Sequence, residues 1–396
     1  MTHTSVSNED ISVVLGKDMP ELRQAVQRLC AGYPDEYWRQ LDETQSYPTD
    51  FVNDLTKAGF LAALIPEEYG GSGLPLRAAA IILEEINASG CVASPAHAQM
   101  YIMGTLLRHG SPEQKQRYLP GIASGKLRLQ AFGVTEPTTG SDTTKLKTRA
   151  ERHGDVYVIN GQKVWTSRAL HSDLMLLLAR TTPLNQVQRR TDGLSVFLVD
   201  LNQSRKGLSI KPIKALLNHN TTEVFFENVE VPADNLIGHE GKGFRYILDG
   251  MNAERILVAT ECLGDGRWLL NRAVKYAKER IVFDRPIGQN QAVQFPLARC
   301  YAELEAADMI ARRAAALFDA GRDCGADANM AKLLASEATW HAAEAAMQTH
   351  GGFAFASEYH VERKWREARL YQAAPISTNL ILGYLGQHVL DLPKSY

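Results

Sequence analysis

At 396 residues the chain exceeds what one ordinary hydrophobic core organises, so two or three domains are expected. Its 45% hydrophobic and 22% charged residues fit a folded soluble protein and exclude a disordered one. With 43 Lys+Arg against 45 Asp+Glu the formal net charge is −2, so neither nucleic acid nor an anionic membrane is an expected partner. Apolar stretches such as 174–179 fall far short of the roughly 20 residues that a membrane span needs. The opening MTHTSVSNED has neither a signal-peptide nor a transit-peptide layout. Cys30, Cys91, Cys262, Cys300 and Cys324 are scattered without CxxC spacing, which suits reduced thiols in a cytoplasmic protein.

From Met19 to Gly125 the pattern is helical. Phe51, Val52 and Leu55 precede a stop at Gly59, and a long segment around Ile81–Ile86 follows the GGSG turn at 70–73. Between Leu129 and Pro232 the pattern turns strand-like. Val156–Ile159 runs into Asn160-Gly161, a dipeptide that predicts a tight turn, and Lys163-Val-Trp follows it. Further strands are expected at 174–178, 194–199 and 223–231. No helical run separates these strands, so they form a β domain and not a βαβ sheet. After Asn235 the chain is helical again. Cys300, Leu304, Ala307, Ala311, Ala314 and Phe318 follow the 4-3-4-3-4 spacing of a bundle helix, and Met330–Met347 is rich in Ala. The whole reads as an α+β multi-domain chain divided into 1–128, 129–235 and 236–396.

Common chemical signatures are missing: there is no GxGxxG, no P-loop, no HExxH and no metal-ligand spacing among the histidines, so no metal site is expected. Three strings stand out. TEPTTGSD at 135–142 offers hydroxyls and backbone N–H groups to a polar ring edge or a phosphate, although a plain Pro/Gly turn has the same composition. GQKVWTS at 161–167 sets an indole and two hydroxyls on a strand, where a lone Trp is more often core. QTHGG at 348–352 ends a helix with two glycines, either a simple C-cap or a place of close approach.

Taken in order, these strings resemble the acyl-CoA dehydrogenase family, together with IPEEYGG at 65–71, EVFFENVEVP at 223–232 and RIVFDRPIGQNQ at 280–291. The resemblance implies an N-terminal helical domain, a central β-barrel-like domain and a C-terminal four-helix bundle. It also implies a homo-oligomer, dimer or tetramer, with FAD between the β domain and the bundle. Phe132, Val134, Thr135 and Ser141 would then line the flavin ring and its approach. Trp165 and Ser167 would lie at its other edge, Ser167 standing where Thr is usual. Arg280, Phe283 and Gln291 would reach the diphosphate and adenosine half across a subunit interface, where an Arg fork suits a diphosphate. Gln348, Gly351, Gly352, Ser377 and Asn379 would touch the same cofactor. Ser141, Asn252 and Arg255 would meet the pantetheine arm of an acyl-CoA substrate, and Gln99, Met100 and Met103 would floor the acyl pocket.

The implied reaction removes an α-proton to a carboxylate and a β-hydrogen as hydride to the flavin, with electron-transferring flavoprotein as acceptor. In many members the base is a Glu in a C-terminal stretch that here reads YQAAPISTN, 371–379, and its position is Pro375. That stretch holds no carboxylate, and Pro375 lacks an N–H that in the family helps polarise the thioester. Phe244, Ile247, Met251, Glu254 and Val258 share one helical stripe, which sets Glu254 on an apolar face, where a structural pair with an Arg of a neighbouring turn would account for it as well as catalysis would. MNAER at 251–255 resembles the helix that bears the base in isovaleryl-CoA and long-chain acyl-CoA dehydrogenases. Glu254 is therefore the expected catalytic base, and Glu261 its rival. An acyl-CoA oxidase or a thioester lyase on the same fold is the alternative, and a flavin-bearing DNA-associated protein a remoter one.

Overall fold

The computed structural model describes residues 18–204 and 206–394. The N-terminal decapeptide discussed above lies outside them. Among the described residues six α-helices come first: α1 (Pro20–Cys30), α2 (Asp35–Thr44), α3 (Thr49–Lys57), α4 (Leu76–Ala88), α5 (Ser94–His109) and α6 (Pro112–Ala123). Their ends follow local chemistry. Gly59 takes the left-handed conformation, φ +79°, just past α3. Ser111 and Gln114 form a reciprocal capping box at the start of α6.

The strands are β1 (Leu129–Gly133), β2 (Arg149–His153), β3 (Val156–Ser167), β4 (Leu174–Arg180), β5 (Leu194–Asp200), β6 (Leu208–Pro212), β7 (Thr221–Pro232) and β8 (Leu236–Ile237). They form one sheet in the order β6-β7-β3-β2-β4-β5-β8, with β1 parallel to β4. After it come α7 (Gly243–Glu279), a two-stranded hairpin of β9 (Ile281–Val282) and β10 (Arg285–Pro286), and then α8 (Gln291–Asp319), α9 (Gly325–His350), α10 (Val361–Ala373) and α11 (Thr378–Tyr384).

One expectation is overturned. Asn160-Gly161 is not a chain reversal, because β3 runs unbroken through it and pairs with β7 on both sides. The reversal lies earlier, at Gly154 (φ +63°), where His153 pairs with Val156. At 160–161 the register shifts instead, and the Asn160 side chain bonds Asn228 of β7, accepting from its N–H at 2.9 Å. A glycine is required there, since a Cβ on Gly161 would stand 2.5 Å from Thr148 Oγ1. A second register shift falls between Lys163 and Thr166.

The chain gathers into two compact units. One holds the described residues up to Gln40, Pro75–Ala93 and those from Asn252 on; the other holds Leu41–Leu74 and Ser94–Met251. In the first, the apolar face read on α8 is buried at Cys300, Leu304, Ala307, Ala311 and Ala314. The α7 stripe is less selective than its spacing suggests, because from Ala253 to Gly266 every residue except Arg255 is buried. Gly264 permits this closeness: a Cβ there would collide with the Glu84 carbonyl oxygen of α4 and stand 2.8 Å from Asn87 Cβ. Gly264→Ala is expected to lower stability by about 1–3 kcal/mol through overpacking, measurable by denaturant unfolding. An unchanged midpoint would show that α4 and α7 do not meet as closely as described.

A buried polar network ties the same unit together. Lys364 Nζ donates to Asp265 and to the Cys91 carbonyl oxygen at 2.6 Å. Tyr371 OH donates to the other Asp265 oxygen at 3.0 Å, and Asn87 Nδ2 donates to Tyr371 OH at 3.2 Å. Burial pushes the Asp265 carboxyl up, while Lys364 and Tyr371 pull it back. In the second unit, Ile102, Met103, Leu106, Leu119, Ile122 and the inward residues of β4 and β5 form one core.

Candidate active site

In the second unit the flavin-lining candidates cluster at the start of the sheet. Phe132 is half-buried on β1, with the Tyr101 ring edge-on at 5.8 Å. Val134 and Thr135 continue from it as a loop. Their carbonyls point inward: Val134 O accepts from Lys163 Nζ at 3.0 Å, and Thr135 O from the Val164 N–H at 2.9 Å. Ser141 is exposed, on the loop beyond. Trp165 is not core; it is 60% exposed with φ +61°, turned out of β3. Ser167 is half-buried, its Oγ 3.5 Å from Thr221 Oγ1. Of the residues expected to floor the acyl pocket, Met103 belongs to the apolar core, and Gln99 is fully buried with its amide donating to the Leu61 carbonyl.

Lys163 and Glu136 were not singled out in the sequence, yet they anchor this loop. Both are buried, 2.8 Å apart, and Glu136 also accepts the N–H groups of Lys147 (2.6 Å) and Thr148 (2.8 Å). Burial alone would raise the Glu136 carboxyl, but the Lys163 charge and these hydrogen bonds hold it below its ordinary value near 4.5. A lowered carboxyl contributes stability that is complete above the unfolded value and lost as pH falls through the folded one. Between pH 6 and 3.5, wild type is therefore expected to lose more thermal stability than Glu136→Gln. Equal losses would show that the pair is not what titrates.

In the first unit a cavity of about 480 Å³ is lined by Tyr276, Arg280, Val282, Ile287, Thr349, His350, Gly351, Gly352 and Phe353. Three of the expected cofactor residues, Arg280, Gly351 and Gly352, are thus brought together. The Arg280 guanidinium lies 5.6 Å over the Phe353 ring. His350 stacks on Tyr276 at 4.3 Å, and its Nδ1 donates to the Ala346 carbonyl, which leaves Nε2 as an acceptor. Burial lowers its pKa, so the ring is neutral at pH 7. Gly351 (φ +58°) ends α9, and a Cβ on either glycine would meet nothing within 4 Å. The positive φ accounts for Gly351, but neither φ nor packing requires a glycine at 352, and the open space there, with one Arg and several rings beside it, fits a phosphate-linked aromatic cofactor such as FAD. Phe283, Gln291 and Gln348 are not part of this lining. Phe283 is 93% exposed at the hairpin tip, Gln291 opens α8, and Gln348 is exposed in the last turn of α9.

Also in this unit, Glu254 is 8% exposed on α7. Beside it, Arg255 Nη1 donates to Asn252 Oδ1 at 3.2 Å, and burial lowers the Arg255 guanidinium while the Glu254 charge raises it. Glu261, the rival, is buried as well. The 371–379 stretch is held by the fully buried Lys332, whose Nζ donates to the Tyr371 carbonyl and, at 2.7 Å, to that of Ile376. Ser377 caps α11 by accepting from the Leu380 N–H, and Asn379 is exposed on that helix. Among the described residues no group of His, Cys, Asp and Glu could hold a metal, and no helix is long and apolar enough to cross a membrane.

Comparison with known proteins gives first the class, a flavin-dependent oxidoreductase, and then the family. The family models for the N-terminal, middle and C-terminal domains of acyl-CoA dehydrogenase match residues 17–126, 131–229 and 241–375. The chain belongs to the acyl-CoA dehydrogenase family, FAD-dependent enzymes that act on acyl-CoA thioesters. It is 37% identical over 397 residues to acyl-CoA dehydrogenase FadE12 of Mycobacterium tuberculosis, covering 98% of this chain and 100% of that one. Among solved structures it is similar to glutaryl-coenzyme A dehydrogenase in complex with glutaryl-CoA (TM-score 0.87, 31% identity, 100% and 98% covered). It is also similar to acyl-CoA dehydrogenase from Geobacillus kaustophilus (TM-score 0.89, 27% identity, 96% and 100% covered).

Proposed function

We propose that the chain performs α,β-dehydrogenation of an acyl-CoA thioester with Glu254 as the base, and that electron-transferring flavoprotein takes the electrons. The observation that carries this reading is the buried carboxylate of Glu254 on α7, next to the Asn252–Arg255 pair, in a chain whose 371–379 stretch has none. Bound FAD would supply a hydride acceptor at flavin N5. Arg280, with the open backbone of Gly351 and Gly352, would bind the diphosphate and adenosine portion of an FAD across a subunit interface, and Val134, Thr135, Trp165 and Ser167 would border a flavin ring. Asn252 and Arg255 would orient the pantetheine arm, and Glu254 would take the α-proton at a carboxylate oxygen. We extend the reading to a homo-oligomer in the cytoplasm, with domains meeting near residues 129 and 236.

Pro375 supports a second reading. Without its N–H the thioester loses one polarising donor, and an oxidase or lyase then remains open. Anaerobic mixing with a panel of acyl-CoAs separates the readings, with the flavin band followed. A dehydrogenase is expected to bleach, then reoxidise quickly with electron-transferring flavoprotein and slowly with oxygen. Fast stoichiometric peroxide formation would replace it with the oxidase, and turnover without net bleaching with the lyase.

A further inference from the structure

The peptide between Val134 and Thr135 is trans, as is every described peptide but Ala374–Pro375. In a trans peptide the C=O and the following N–H point in opposite directions. The Val134 carbonyl is directed at Lys163 Nζ, 3.0 Å away, so the Thr135 N–H is directed away from it. The next carbonyl, Thr135 O, is likewise engaged by the Val164 N–H, and the Glu136 N–H by Thr139 O at 3.3 Å. The Thr135 N–H is thus left facing away from Lys163, on the residue that the proposed function sets against the flavin ring.

We propose that Lys163 is a positioning residue for the cofactor: its ammonium, steered by Glu136, fixes the Val134–Thr135 peptide plane so that the Thr135 N–H is presented to the electron-rich edge of the flavin. This rests on the reading that Val134 and Thr135 border the ring. A lysine placed only to neutralise Glu136 would need no carbonyl partner, whereas Lys163 divides its donors between the carboxylate and the Val134 carbonyl. Burial brings its pKa down to about 8, so at pH 7 it still carries its proton. With the ammonium gone, the half-buried Val134 carbonyl loses this partner, and the peptide is free to rotate its oxygen toward the cofactor.

The deciding variant is Lys163→Met combined with Glu136→Gln, which removes the ammonium without leaving a lone buried carboxylate. It is expected to fold, by far-UV circular dichroism and thermal unfolding, and to bind FAD about 10- to 100-fold more weakly in a fluorescence titration of the apoprotein. Its bound flavin should also show a shifted absorption band and a lower midpoint potential. Glu136→Gln alone keeps Lys163 on Val134 O but removes the carboxylate that steers it, and should lose clearly less than the double variant in both readouts. Wild-type FAD affinity and spectrum in the double variant would overturn the proposal. So would an equal loss in Glu136→Gln alone, which would trace the effect to the carboxylate. Should the double variant not fold, Lys163→Gln decides: a neutral donor at that position is expected to recover FAD binding only in part, and full wild-type affinity and potential would overturn the role given to the charge. A wild-type protein that takes up no FAD would instead overturn the underlying reading.

Discussion

Glu254→Gln is expected to keep its FAD and its affinity for a CoA thioester while flavin reduction slows by about 10²–10⁴-fold. Gln preserves the size and much of the hydrogen bonding of Glu but cannot accept a proton. A carboxylate is needed at the α-carbon, and the 371–379 stretch does not provide one. Glu261→Gln is the control, because both residues are buried on α7 two turns apart. Its reduction rate should change far less. Stopped-flow bleaching under anaerobic conditions reads both. If the effects are reversed, the base is Glu261; if neither variant slows, the reaction is not α-proton abstraction by this helix.

The second large effect concerns the cavity. Gly352→Leu introduces a side chain into space that no protein atom occupies within 4 Å of the Cβ, at a position whose φ is not left-handed. The fold should therefore tolerate it, with thermal unfolding of the apoprotein close to wild type. FAD binding should fall by a factor of 100 or more, about 3 kcal/mol, because the inserted side chain and the cofactor would compete for one volume. A yellow, fully loaded Gly352→Leu protein would place the cofactor elsewhere.

The helices were legible because their signals are local. The 4-3-4-3-4 spacing on α8 and the Gly59 stop after α3 depend only on near neighbours, and both hold. Asn160-Gly161 misled for the opposite reason. The dipeptide favours reversal in isolation, but β7 offers a continuous partner on both sides, and pairing with it outweighs the local preference. Of the candidate site, the sequence picks out chemically distinctive residues that the fold brings together: Arg280 and the glycine pair line one cavity. Lys163 and Lys332 were not, since a lysine in a strand or helix normally reads as a solvated face. Only tertiary structure reveals that each is sealed inside and fastens a carbonyl.

The register shift between Lys163 and Thr166 has a consequence for what β3 can carry. In a regular strand residues two apart share a face, so Lys163 and Trp165 would both point in or both point out. Here the lysine is fully buried and the indole is exposed, with Thr166 buried after it. One extra residue thus lets a single strand anchor a loop from behind and, two positions later, offer a large ring to the solvent side. Deleting one residue at 164–165 would restore the simple alternation and force a choice between the two, so this short stretch should tolerate substitution far better than any change in length.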